Sequence, residues 1–180
     1  MQKFICAFAT ASTLLLSANA HASNQDNWKT MSNIGSYGLV ATAFLLPTYH
    51  HDWQGLEQAA WSVGSTSAVT LVGKNTIHAE RPDKSDDDSF PSGHTANAFA
   101  AATTLYRRYG WEVGVPAYTV ATLVGVGRVE AEKHYWRDVL AGAAIGTIAG
   151  WYFTDAFDDN VQLVPWAQSD GGGVMVTWRW

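Results

Sequence analysis

Apolar and polar positions along the 180 residues change in blocks, with few stretches of strict alternation. Blocks longer than ten residues, bounded by Gly, Pro or charged clusters, read as helices. Asn33 to Leu46 is apolar with small residues and stops at Pro47, whose ring and missing N–H oppose a continuing helix. Leu56 to about Ile77 reads as a second helix. His94 to Tyr109 is rich in Ala and closes on Arg107-Arg108, cations suited to a helix C-terminus. Val115 to Val126 follows, with Pro116 acceptable in a first turn. Asp138 to Phe157 is the last helix, and Gly142, Gly146 and Gly150 fall four apart on one face, which lets a neighbouring helix approach closely. Tyr49 to Gln54 is a polar, aromatic loop, and Pro82 to Pro91 is a loop containing Asp86-Asp87-Asp88.

The two ends differ from this pattern. Val161–Gln168 and Val174–Trp180 read as strands around Ser169-Asp170-Gly171-Gly172-Gly173. The terminal Trp on an alternating strand resembles the ending of an outer-membrane barrel, but two strands cannot close one, so a hairpin packed on the helices is expected. Met1 to Ala22 has a short positive start, an apolar run and an Ala20-His21-Ala22 end, the layout of a secretory signal peptide. The expected organisation is a signal peptide at 1–22, a polar linker at 23–32, a helical domain at 33–160 and a hairpin at 161–180. The destination is outside the cytoplasm, most simply a bacterial periplasm.

The charge-free runs Gln58–Gly73, Val113–Gly127 and Val139–Thr154 fall short of the about 20 residues that a bilayer span needs. Thr30–His51 is longer but contains Pro47, His50 and His51. An all-α bundle, soluble or bound to a membrane surface, with a short C-terminal β-hairpin is therefore expected.

Composition narrows the function. Hydrophobic residues make up 47% and charged residues 15%, ample for a packed core and incompatible with a disordered chain. A net charge of -5 offers no basic field for nucleic acid. The single cysteine, Cys6, lies inside the signal segment, which excludes zinc fingers, disulfide scaffolds and thiol nucleophiles in the mature chain. Nine Trp point either to a thick aromatic core or to a face that meets lipid or a ring-bearing ligand.

Three segments carry candidate chemistry. Lys74 and Arg81 are seven apart, which places them on one face at a helix end, and two cations there can clamp a phosphate. A solvated basic helix end is the alternative. His78 between them reads as structural or as part of the rim. Pro91-Ser92-Gly93-His94 precedes a helix: Ser92 is a candidate N-cap, Gly93 lets backbone approach a ligand, and amides at a helix start bind anions. His94 would stand beside that anion as a proton donor. In Arg128-Val-Glu-Ala-Glu-Lys-His134-Tyr-Trp-Arg-Asp138, His134 and Asp138 are four apart and meet on one helical turn. A carboxylate on Nδ1–H would fix the tautomer and leave Nε2 free as a nucleophile, although such pairs are common on ordinary helix surfaces. Asp86-Asp87-Asp88 reads as a solvated loop rather than a cation site, with the acids repelling highly charged substrates, and Glu130 and Glu132 line the rim or face water.

Together, K-x6-RP, PSGH and R-x5-H-x3-D from Lys74 to Asp138 resemble the signature of the PAP2 superfamily: type 2 phosphatidic acid phosphatases, class A acid phosphatases and vanadium haloperoxidases. Ten identities match in order. The third motif departs from the usual Ser-Arg start, having Gly127-Arg128. The resemblance implies a PAP2-like helical bundle and phosphoryl transfer without metal or other cofactor, through a phosphohistidine. His134 would be the nucleophile, Asp138 would hold its ring, and His94 would serve as acid and then base. Lys74, Arg81, Arg128 and the Ser92–Gly93 amides would bind the phosphoryl oxygens. Lipid-linked phosphates, of phosphatidic acid or polyprenyl diphosphate type, are the expected substrates, with peripheral membrane contact. A broad periplasmic acid phosphatase for small soluble esters is the alternative. A haloperoxidase is disfavoured by chain length, and a non-catalytic envelope protein by the intact His94, His134 and Asp138.

Overall fold

The computed structural model describes residues 24–155, 161–168 and 171–178. These form five helices and one strand pair: α1 Asn24–Tyr49, α2 Trp53–Thr76, α3 Gly93–Tyr109, α4 Trp111–Glu130, α5 Trp136–Phe153, β1 Val161–Gln168 and β2 Gly171–Trp178. The expected signal peptide lies outside the described residues.

α3 is the axis, and each of the other four helices packs on it. Around it the order is α1, α2, α5, α4 and back to α1, with no contact between α1 and α5 or between α2 and α4 among the described residues. Composition makes this possible. Ala96, Ala98, Ala100, Ala101 and Ala102 on α3 are wholly buried, so four neighbours can close on a thin rod. The glycine stripe of α5 lies against it as expected: a Cβ at Gly142 would sit 2.5 Å from the Ser92 carbonyl oxygen, and Gly150 lies against Thr103. α2 turns a polar seam inward, with Gln58, Ser62, Thr66 and Thr70 buried. Small residues therefore fill the interior. Trp53, Trp61, Trp111, Trp136 and Trp151 lie outside, each about half exposed or more.

Several expected boundaries move. Asn24–Ser32, expected as linker, is helix: Asp26 sits in its first turn and Ser32 is buried. α1 also runs through Pro47 to Tyr49, so the proline lies in the last turn. The last helix begins at Trp136, before Asp138, and ends at Phe153 rather than Phe157. In the hairpin Gln168 pairs with Gly171, so Gly171–Gly173 belong to β2 and not to a turn. Among the described residues the two strands pair with each other. No described helix is long and apolar enough to cross a membrane.

Alternating helix directions put one set of termini at each end. At the end formed by the C-termini of α1, α3 and α5, Arg108 is buried against Asp52: its Nε donates to Asp52 Oδ2 at 2.7 Å and its Nη2 to Oδ1. Asp52 also caps α2 through the Gly55 amide (2.9 Å) and accepts from the Tyr109 hydroxyl (3.0 Å). Burial alone would raise the Asp52 pKa, but Arg108 and these donors hold it below the usual carboxylate value. Arg107 donates to the Thr154 carbonyl (3.0 Å), and Gln58 and Asp155 exchange two hydrogen bonds.

Candidate active site

The opposite end gathers the three motifs. Lys74 occupies the last turn of α2, and its Nζ donates to the Asp88 carbonyl oxygen (2.5 Å) and reaches Asp88 Oδ2 (3.2 Å). Contrary to the reading from spacing, Arg81 does not continue that helix. α2 ends at Thr76, where Ile77 is extended, and Arg81 lies in the following loop. The two cations meet through Asp88 instead: Arg81 Nε and Nη2 lie 2.8 and 2.6 Å from Asp88 Oδ1. The loop is tied by Ser89 N–H to the Ala79 carbonyl and Arg81 N–H to the Asp86 carbonyl, each 2.9 Å. The acidic run therefore divides. Asp86 and Asp87 are exposed, as expected, while Asp88 turns onto the cations. Burial works to raise the Asp88 pKa, but Lys74 and Arg81 hold it below the ordinary value. His78 is exposed and faces Asp87 at 3.5 Å.

Gly73 lets this loop approach α2, because a Cβ there would lie 2.6 Å from Pro91 Cδ. Ser92 is the N-cap residue of α3, but its buried hydroxyl bonds to Thr95 Oγ1 (2.9 Å) rather than to the helix amides. Its own N–H is taken by the Asp138 carbonyl (3.0 Å), so the expected Ser92 amide contact to phosphate is not met. The first amides of a helix have no intrahelical acceptor, which leaves Gly93 and His94 to offer theirs. A Cβ on Gly93 would be 3.9 Å from Lys74 Cε, so the cation lies beside that helix start.

Arg128 lies in the last turn of α4 and is 5% exposed; its Nη1 donates to Asn33 Oδ1 (3.0 Å), and its Nε has no partner among the described residues. Burial, and then the nearby Arg81, lower its pKa to about 10, which leaves it charged at neutral pH. Gly127 has a packing reason: a Cβ there would come 3.0 Å from Ser32 Cβ and 3.3 Å from the Trp28 carbonyl oxygen of α1. Glu130 and Glu132 are exposed.

His134 sits in the turn before α5 and is 2% exposed. The expected direct bond from Asp138 is not formed; Asp138 Oδ2 is 3.9 Å from His134 Nδ1. Nδ1 lies 2.7 Å from the Ser89 carbonyl oxygen. A carbonyl only accepts, so Nδ1 carries the proton and neutral His134 presents a lone pair at Nε2. Asp138 holds the frame one step away: its Oδ2 accepts from Ser89 Oγ (2.5 Å) and from the Tyr135 amide (2.9 Å). The reason is local, because His134 precedes the helix whose first turn contains Asp138. Burial first, then Arg128 and Lys74, push the His134 pKa down to about 3. Burial and the charges of Arg128, Lys74 and Arg81 lower His94 to about 4, and its Nε2 has no partner among the described residues.

The structure thus brings Lys74, Arg81, Arg128, His94, His134 and the start of α3 to one end. Three contributors had no sequence signal of their own. Asp88 lay in an acidic run, Ser89 merely preceded Phe-Pro-Ser-Gly-His, and Asn33 is 95 residues from Arg128. Among the described residues no group of three or more His, Cys, Asp or Glu could hold a metal ion. What the arrangement can do is bind a compact anion on cations and amides beside two neutral imidazoles.

Comparison with known proteins agrees with this geometry. The chain is 44% identical over 83 residues to lipid A 1-phosphatase of Porphyromonas gingivalis, covering 44% of this chain and 18% of the relative. It is 31% identical over 103 residues to lipid A 4'-phosphatase of Helicobacter pylori, covering 57% and 50%. The chain therefore spans less than a fifth and about half of those two relatives. The crystal structure of Aquifex aeolicus LpxE shares the fold at a TM-score of 0.63 and 23% identity, covering 78% of this chain and 90% of that one. The PAP2 superfamily model matches residues 4–162, and with the three motifs assembled at one end of the bundle, the chain belongs to the PAP2 superfamily.

Proposed function

We propose that the protein is a phosphatase of lipid-linked phosphates that works through a phosphohistidine at His134 and needs no metal. One observation carries the reading: a buried imidazole whose Nδ1 is committed to the Ser89 carbonyl and whose surroundings hold Lys74, Arg81 and Arg128. Nε2 attacks phosphorus in line as the bond to the leaving oxygen breaks. The cations and the Gly93 and His94 amides neutralise the equatorial oxygens. His94 gives its proton to the leaving alkoxide, then takes one from the water that breaks the P–N bond, releasing phosphate and restoring both histidines. Burial, and then the cations, lower the His94 pKa; an arriving dianion offsets the cations' share and favours the protonated imidazole.

Lipid linkage is supported by the phosphatases of lipid A among its relatives and by the exposed Trp residues, whose rings suit a headgroup layer. The proposed location is the periplasmic face of an envelope membrane, reached through the signal peptide at 1–22 and contacted peripherally. The test compares kcat/KM for short-chain phosphatidic acid or a polyprenyl phosphate with that for a small soluble ester, with and without EDTA and vanadate. The expected result is a preference for the lipid, full activity in EDTA, and inhibition by vanadate. Activity lost in EDTA and restored by a divalent ion overturns the mechanism. Equal turnover of the small ester, with no binding to vesicles, replaces the lipid reading with the acid-phosphatase reading.

A further inference from the structure

α1 carries none of the three motifs, yet one turn of it touches both sides of the site. Asn33, Ser36 and Tyr37 share a helical face. Asn33 Oδ1 accepts from Arg128, and Ser36 Oγ donates to the His94 carbonyl at 3.1 Å. The Tyr37 ring meets the His94 ring edge-on, with centroids 5.5 Å apart and planes at 62°. The three differ in burial. Ser36 is 2% exposed, whereas Tyr37 is 65% exposed. Ser36 and Asn33 are thus used up in holding the site, while Tyr37 stays largely exposed with its ring beside the proton donor.

In-line transfer fixes what passes there. The nucleophile and the leaving oxygen lie on opposite sides of phosphorus, so the group that protonates the leaving oxygen marks the leaving-group side. With His134 as nucleophile, that side belongs to His94, and the neighbour of His94 at the surface is Tyr37. We propose that Tyr37 is a specificity-determining contact for the leaving alcohol, its ring covering the carbon skeleton attached to the ester oxygen. An alcohol with an extended C–H skeleton, such as a diacylglycerol, suits an aromatic surface of this kind. This rests on the phosphatase reading and deepens it.

The test uses Tyr37→Ala and Tyr37→Phe in the full chain, with short-chain phosphatidic acid, methyl phosphate and vanadate. Methyl phosphate has almost no leaving group to cover, and vanadate has none. Tyr37→Ala is expected to lower kcat/KM for phosphatidic acid about tenfold, the size of one lost aromatic contact. The same variant should leave kcat/KM for methyl phosphate and the vanadate inhibition constant within about twofold, since neither uses the contact. Tyr37→Phe, which keeps the ring, should recover most of the loss. If Tyr37→Ala lowers both esters equally and weakens vanadate in parallel, Tyr37 merely supports His94 and the inference is overturned. An unchanged kcat/KM for phosphatidic acid also overturns it. Wild-type protein that neither hydrolyses these esters nor binds vanadate overturns the phosphatase reading and this inference with it.

Discussion

The two ends of the bundle are built from the same residue types and treat charge in opposite ways. At one end Arg108 is enclosed by Asp52, and Arg107 is held on the Thr154 carbonyl. At the other end three cations, Lys74, Arg81 and Arg128, share Asp88 and Asn33, and Arg128 Nε has no partner among the described residues. The first arrangement is complete in itself. The second keeps donors in reserve at the cost of mutual repulsion, which adds to burial in lowering the pKa of both histidines. A bundle with one closed end and one uncompensated end stores binding capacity for an anion where the repulsion is.

Substitutions can separate the two. The largest expected effect on stability belongs to the closed end. Asp52→Ala leaves Arg108 buried without its counter-charge and should cost about 3–5 kcal/mol in chemical denaturation. The vanadate inhibition constant of the folded fraction should not move. Asn33→Ala should act on both: it removes a hydrogen bond to a buried charged group, which costs about 1.5–3 kcal/mol of stability, and by freeing Arg128 it should weaken vanadate binding of the folded protein about tenfold. If the Asp52 variant lost vanadate binding, or the Asn33 variant lost only stability, the division between the ends would fail.

A smaller effect comes from pH. Folding lowers His134 from 6.5 to about 3 and His94 from 6.5 to about 4. The unfolded chain therefore binds more protons below about pH 6.5, and stability falls as pH drops from there toward 4. Saturating phosphate opposes the cations and should flatten this slope. Asp52, whose pKa is lowered from 3.8, contributes stability above that value and loses it only in stronger acid, so it adds nothing to the change between pH 7 and 5. Denaturation curves at pH 7 and 5, with and without phosphate, measure the effect. A slope unaffected by phosphate would contradict it.

How much of this could be read in the chain depends on whether the contact was local. The five helices follow from blocks of apolar residues, and the glycine stripe of α5 follows from spacing alone. The ten motif identities mark the residues that gather at the open end. The differences arise where a helix boundary, or a contact that regular spacing does not encode, decides the outcome. Asn24–Ser32 reads as a linker because it is polar and mostly exposed; what docks it is Ser32 and Trp28 against α4, where Gly127 makes room for them. The i,i+4 spacing of His134 and Asp138 suggested a direct bond, but a helix start between them redirects Asp138 to the Tyr135 amide and Ser89. The seven-residue spacing puts Arg81 on a helix that in fact stops five residues earlier, and nothing in the run of three acids marks Asp88 as the carboxylate that joins it to Lys74.

The measurement that bears most directly on the account is the chemistry of His134 itself. Wild-type protein mixed with labelled substrate and quenched during turnover should carry label on His134, stable to base and released by acid. His134→Ala should carry none and lose turnover by at least about 10³-fold, the scale for removing an essential catalytic group. Label on another residue, or a His134→Ala protein that turns substrate over near the wild-type rate, would contradict the account.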